Sequence, residues 1–104
     1  MIVVCINDGA VMKAWADQMG VGQDGEGSMI NFLADPHGTL VDAMGLRMNA
    51  SGPQSIFGQG RCKRFAAYFD DGVLKRLNVS EKMDDPAGDD DPSHSMVDKM
   101  IEAL

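Results

Sequence analysis

Lys63-Arg64-Phe65-Ala66-Ala67-Tyr68-Phe69-Asp70-Asp71-Gly72-Val73-Leu74-Lys75-Arg76-Leu77-Asn78-Val79 is the stretch whose reading decides the fold. Two runs rich in strand-forming residues flank Asp71-Gly72. That pair suits a two-residue type I′ turn, because glycine takes positive φ without a Cβ clash. The stretch therefore predicts a β-hairpin. Alternation puts Phe65, Ala67 and Phe69 on one face, and makes Val73, Leu77 and Val79 candidates for a buried set. Arg64 stands at the mouth of the first strand, where a fixed guanidinium can reach a site.

Upstream of the hairpin, Ile2-Val3-Val4-Cys5-Ile6 is a continuous β-branched run and predicts a fully buried strand. Asn7 or Asp8 can cap the helix that follows, on which Val11, Met12, Trp15 and Met19 recur at helical spacing. Gly20 is its expected stop, and the four glycines between Gly20 and Ser28 predict a loop. Met29 to Leu33 reads as a second buried strand. Asp35-Pro36 predicts a helix start, with aspartate at the cap and proline at the first helical position. Leu40, Val41 and Met44 give that helix an apolar face, and Gly45 ends it. Residues 47–60 are small and polar and read as a loop, with Ile56-Phe57 tucked inward.

Downstream, residues 81–93 hold Asp84, Asp85, Asp89, Asp90 and Asp91 among Pro86, Gly88 and Pro92, a composition that predicts a solvated loop. Ser93 or Ser95 can cap a last amphipathic helix carrying Val97, Met100, Ile101 and Leu104. The expected order is β-α-β-α-β-β-α. Strands joined through helices pair in parallel and strands joined by a tight turn pair antiparallel, so a mixed sheet with helices on its faces is expected.

The bulk properties narrow the function. At 104 residues the chain is a single domain, 1–104. A formal net charge of −7 repels phosphate backbones and argues against nucleic acid as a partner. No apolar run approaches the roughly 20 residues of a membrane span. Two cysteines make no disulfide framework and point to a reducing compartment, here the cytoplasm. Met1 leads straight into a strand, so no leader is visible, and a domain beginning in sheet interior predicts that the N-terminal part of a larger fold is missing.

Several segments in order, Asn7-Asp8…Val11-Met12-Lys13-Ala14-Trp15, Leu33-Ala34-Asp35-Pro36…Gly38, Lys63-Arg64-Phe65 and Asp70-Asp71-Gly72-Val73…Leu77-Asn78-Val79, resemble the type II, or atypical two-cysteine, peroxiredoxins over the C-terminal two-thirds of that family. The resemblance implies a thioredoxin-like α/β fold. It also implies reduction of hydrogen peroxide and alkyl hydroperoxides, with glutathione, glutaredoxin or thioredoxin as reductant, no cofactor, and a homodimer. The family's Pro-Gly-x-Phe-Thr-x-x-Cys motif, which carries the peroxidatic cysteine, does not occur in this sequence. Where some members carry a resolving cysteine, this chain has His94-Ser95-Met96. Arg64 matches the family arginine that binds the peroxide and favours the thiolate, a role that suits a guanidinium fork. Without a partner thiol, Arg64 has nothing to activate.

Of the two cysteines, Cys5 falls in the apolar run and reads as a structural thiol. Cys62 lies between Arg61 and Lys63-Arg64, where cations favour thiolate, and is the candidate reactive thiol. A Cys5–Cys62 disulfide requires Cα atoms within roughly 7 Å. The aspartates of residues 84–91 lack EF-hand spacing, and His37 and His94 have no cysteine at ligand spacing, so no metal is expected. The reading is a peroxiredoxin-type redox protein lacking its nucleophile and inactive alone. Its alternatives are a non-catalytic thioredoxin-like interaction module, or a diverged thiol protein using Cys62.

Overall fold

The computed structural model describes residues 1–21, 29–57 and 60–103. The glycine-rich stretch 22–28, the Phe57 side chain and Leu104 lie outside the described residues. The chain divides into two compact units, one made of Met1–Arg47 with Gly60–Cys62, the other of Met48–Gln59 with Lys63–Leu104.

In the first unit, strand β1 (Ile2–Cys5) leads into helix α1 (Gly9–Gln18), strand β2 (Asn31–Ala34) and helix α2 (Thr39–Ala43). The two strands pair in parallel, with Val3 opposite Phe32 and Cys5 opposite Ala34. Such a pair needs a long crossover, which α1 supplies. Asp8 caps α1, its carboxylate accepting from the Val11 N–H at 2.9 Å, and Gly20 follows the helix at φ 72°. The core is Met12, Ala16 and Phe32, with Val3, Cys5, Val21 and Ile30 packed against it. Trp15 meets Phe32 edge to face, with ring centroids 4.9 Å apart.

Both strands were expected to be fully buried, yet Ile2, Met29 and Leu33 are exposed. Alternation sends successive side chains to opposite faces, and only the face under α1 has its core partners in this unit. Val11 and Met19, expected in the helical stripe, are likewise exposed, and Ala16 takes the core position. Helix α2 begins three residues later than the Asp35-Pro36 pair predicts. A turn closes first, with Gly38 at φ 70° donating its N–H to the Asp35 carbonyl. Asp35 still serves the helix start, accepting from the Leu40 and Val41 N–H groups at 3.4 and 3.2 Å.

The second unit opens with helix α3 (Ser51–Phe57), where the sequence predicts a loop. Gly52 and Pro53 read as breakers, but a proline in the first turn loses no intrahelical bond, and the ladder starts at Gln54 N–H to Ala50 C=O. Ile56 is exposed rather than tucked in. Strands β3 (Phe65–Asp70) and β4 (Val73–Val79) form the expected hairpin, with Asp71 at φ 51° and Gly72 at φ 77°, as a type I′ turn requires. Tyr68 pairs with Arg76 but Phe69 with Leu74, so Lys75 is an extra residue on β4. This bulge breaks the alternation. Val73 consequently lies exposed while Leu77 and Val79 are half-buried, which corrects the expected buried set.

The chain then anchors itself through Ser80, which is fully buried. Its N–H donates to the Arg64 carbonyl, and its hydroxyl donates to Pro92 C=O at 2.8 Å and accepts from the Ser95 N–H at 3.0 Å. The acidic stretch is more ordered than a solvated loop. The Asp85 carboxylate accepts from the Asp90 and Asp91 N–H groups, and Lys82 pairs with Asp91 at 2.6 Å. Ser93–Ser95 form a 3-10 turn, and helix α4 spans Val97–Ala103. Ser93 and Ser95 belong to that turn, so neither takes the expected cap, and Val97 and Ile101 are exposed.

The observed order is thus the expected one with α3 inserted. Instead of one mixed sheet, the parallel and antiparallel pairs form two separate two-stranded sheets. Returning from α3, the chain makes an isolated bridge between Arg47 and Cys62 and not a further ladder.

Candidate functional site

Arg64 stands immediately before β3, in the second unit. Its Nη2 meets an Asp89 carboxylate oxygen at 2.8 Å, and its Nε donates to the Ala87 carbonyl at 3.4 Å. The sequence supplies both anchors, because Gly88, at φ 69°, turns the acidic stretch back onto Ser80. A Cβ there would strike Ser80, whose own Cβ would lie at 2.8 Å. The guanidinium is therefore oriented by a carboxylate and a carbonyl. Its exposed edge can still offer N–H groups to an oxygen ligand.

The thiols sit in the first unit. Cys5 closes β1, and its carbonyl accepts from the Asn7 and Asp35 N–H groups, each at 2.9 Å. Cys62 is held by its bridge to Arg47. Both cysteines are half-buried free thiols. Burial pushes the Cys62 thiol up, while the N–H of Ile6, its own N–H and the Arg61 guanidinium pull it down, and the Asp35 carboxylate adds to the rise. Burial also pushes Cys5 up; negative charge on Cys62 adds to that rise and Arg61 opposes it. Of the cations flanking Cys62 in sequence, Arg61 faces the thiols, whereas Lys63 pairs with Glu81 at 3.1 Å in the second unit.

Sequence reasoning found the two cysteines and Arg61 but missed three groups around them. These are the Ile6 N–H, the Asp35 carboxylate and Arg47. Asp35 was assigned only a capping role, which it also fills. Arg47 is clamped by the Asp42 carboxylate, with Nε and Nη2 at 2.6 and 2.8 Å, and its Nη2 reaches the His37 carbonyl at 3.3 Å. Gly38 leaves room for that guanidinium, since a Cβ there would collide with it. No signal in the sequence ties Asp35 or Arg47 to Cys62. The link is the return of residues 60–62 to the first unit.

A different feature of the second unit is an open depression of about 640 Å³ lined by Arg76, Asn78, His94, Lys99 and Glu102 among others, with none of the predicted site residues. Among the described residues, no group of three or more His, Cys, Asp and Glu is placed to hold a metal ion. No helix there is long and apolar enough to cross a membrane.

Comparison with known proteins gives a consistent set of relatives, although no family model matches. The chain is 36% identical over 78 residues to Peroxiredoxin-2E-2, chloroplastic, of Oryza sativa subsp. japonica, a match covering 75% of this chain and 32% of that protein. It is 32% identical over 83 residues to Peroxisomal membrane associated protein 20 of Schizosaccharomyces pombe, covering 80% and 49%. Among solved structures, oxidized Prx3 from Vibrio vulnificus superposes with a TM-score of 0.72 at 31% identity, over 99% of this chain and 55% of that one. Reduced Prx3 in complex with H2O2, from the same organism, gives 0.69 at 31% identity, over 98% and 53%. The chain spans about a third to a half of the length of the curated relatives it matches.

Proposed function

Because this chain is a peroxiredoxin-family sequence over the span it shares with those relatives, we propose that it serves thiol-dependent reduction of hydroperoxides and contributes the arginine that holds the peroxide. The observation that carries this reading is Arg64. It stands in Lys63-Arg64-Phe65 at the entrance to β3, with its guanidinium oriented by Asp89 and Ala87. A planar fork of N–H donors stabilises an oxygen on which charge develops as the O–O bond breaks, and it favours the thiolate that attacks. One solved neighbour is described in complex with H2O2, which supports the same substrate class here. Hydrogen peroxide and alkyl hydroperoxides are the proposed substrates, glutathione, glutaredoxin or thioredoxin the proposed reductant, and a homodimer the proposed assembly.

In this role the chain supplies no peroxidatic nucleophile of its own. The family's nucleophile motif is absent from the sequence, and burial raises both thiols that are present. The test is peroxide consumption by the purified chain, followed by thiol-specific mass spectrometry. Consumption no faster than that of free cysteine is expected. Rapid turnover abolished by Cys62→Ser would overturn the assignment and make Cys62 the nucleophile. Relatives bear chloroplastic and peroxisomal names, so cytoplasmic location stays part of the proposal, to be checked by localising the tagged protein.

A second reading, a non-catalytic interaction module, is favoured by the exposed apolar side chains Met96, Val97 and Ile101 on and beside α4. Sedimentation that shows a monomer at every concentration would count against it.

A further inference from the structure

Arg64 is held to a single stretch of chain by its main chain and its side chain together. Its carbonyl accepts from the Ser80 N–H at 2.9 Å, and its guanidinium meets Ala87 and Asp89. Those two residues are themselves seated on Ser80. Ser80 is fully buried, and Gly88, at φ 69°, lies so close that a Cβ on it would strike the Ser80 carbonyl and side chain. The neighbouring cations take other carboxylates. Lys63 pairs with Glu81 at 3.1 Å and Lys82 with Asp91 at 2.6 Å, which leaves Asp89 to Arg64.

A guanidinium has two edges that this contact distinguishes, the side formed by Nε and Nη2 and the end formed by Nη1 and Nη2. Ala87 C=O takes Nε at 3.4 Å and the Asp89 carboxylate takes Nη2 at 2.8 Å, so the brace occupies the side. No acceptor among the described residues meets Nη1. The group is about half exposed, and its end keeps one N–H on each terminal nitrogen for a ligand. An exposed ion pair adds little to stability. Its effect here is directional, because gripping one side of a rigid planar fork fixes where the end points.

We propose that Asp89 is a positioning residue. It holds Arg64 by the side, from the Gly88–Ser80 seat, and so presents the end of the guanidinium as a two-donor site for an oxygen ligand. This rests on the functional reading above and specifies how its arginine is aimed. Two parallel N–H donors suit a ligand with two neighbouring oxygens, which a hydroperoxide supplies.

The test titrates sodium formate into the full chain at constant ionic strength and follows the Arg64 Nε–H signal by NMR. Formate offers two oxygens and a negative charge, and it leaves the nine methionines unoxidised. A saturable shift that Arg64→Gln abolishes at the neighbouring β3 amides is expected. Asp89→Asn and Asp89→Ala remove the same charge, but only asparagine keeps an oxygen for Nη2. Asp89→Asn should therefore bind formate at least threefold more tightly than Asp89→Ala, and only Asp89→Ala should loosen Arg64 Nε in 15N relaxation. Gly88→Ala should loosen it too, with every charge retained. Equal affinity and equal order in the two Asp89 variants would overturn the positioning role while leaving Arg64 as the ligand-binding group. Formate binding indifferent to Arg64→Gln would overturn the functional reading and this inference together. The wild-type chain decides without any variant: an Arg64 Nε as mobile as a free side chain, or no response to formate, refutes the proposal.

Discussion

Replacing Ser80 with alanine removes one oxygen from a fully buried position and tests how the C-terminal segment is tied to the hairpin. The hydroxyl donates to Pro92 C=O at 2.8 Å, accepts from the Ser95 N–H at 3.0 Å, and meets the Ser95 hydroxyl at 2.9 Å. Each neutral hydrogen bond contributes about 1 kcal/mol net, but an orphaned buried partner costs more. Here no partner is orphaned. The Ser95 N–H keeps a second acceptor, Pro92 C=O at 3.1 Å, to which the Ser95 hydroxyl also donates at 3.2 Å. The loss therefore falls at about 1 to 2.5 kcal/mol, not the 3 or more of a broken buried network. Expressed as amide exchange, that accelerates the Ser95 N–H and the β4 ladder by roughly 5- to 70-fold where exchange reports local opening. Hydrogen exchange followed by NMR reads this directly. Ser55→Ala, which removes an exposed 2.7 Å bond to Gly52 C=O, is the control and should change protection less than threefold. Equal effects of the two substitutions would refute the idea that Ser80 is the anchor.

Four further outcomes are expected. Asp8→Ala removes the cap of α1 and should cost about 1 kcal/mol in urea denaturation. Gly72→Ala forces a Cβ onto a residue at φ 77° and should cost about 1–2 kcal/mol, with unchanged stability refuting the type I′ turn. Burial raises both thiols, so alkylation rates should climb with a midpoint above that of free cysteine, near 8.5. The linked stability is present below that ordinary value and drains away as pH rises through the folded one; a midpoint below 8.5 for either thiol would contradict the burial argument. The Asp91 carboxyl is held well below the usual carboxylate range by Lys82 and Ser93. Its contribution is present above about pH 4 and disappears as pH falls through the folded value, so amide protection around Ser93 should decline as the medium is acidified below about pH 4, and in Asp91→Asn it should no longer do so.

What the sequence made legible was local. The Asp71-Gly72 turn, the Asp8 cap and the Gly45 stop each follow from the conformational preference of one or two residues. Helix α3 was lost because Gly52 and Pro53 were weighed as breakers, although position within the first turn reverses the meaning of a proline. The bulge at Lys75 left no mark in the pattern, and it moved Val73 out of the set assigned to it. Periodicity tells which side chains share a face, not whether anything covers that face; hence Ile2, Val11 and Leu33 were expected inside and lie exposed. The candidate site divides the same way. Arg64, Cys5 and Cys62 could be picked out by residue type and neighbours in the chain. The Asp89 clamp, the Ile6 N–H and the Asp35 carboxylate depend on segments brought together only by the fold.

The two units are not consecutive along the polypeptide: residues 48–59 belong to one and are bracketed by pieces of the other. That interleaving governs how the protein is born. Residues 60–62 are synthesised after the 48–59 segment of the other unit, so the first unit gains its last piece, the Arg47–Cys62 bridge, only once that segment has been made. The hairpin, by contrast, closes through neighbouring residues within microseconds of leaving the ribosome. A gene cut anywhere between codons 47 and 63 deprives one product or both of part of a unit, so neither unit is heritable as a contiguous cassette.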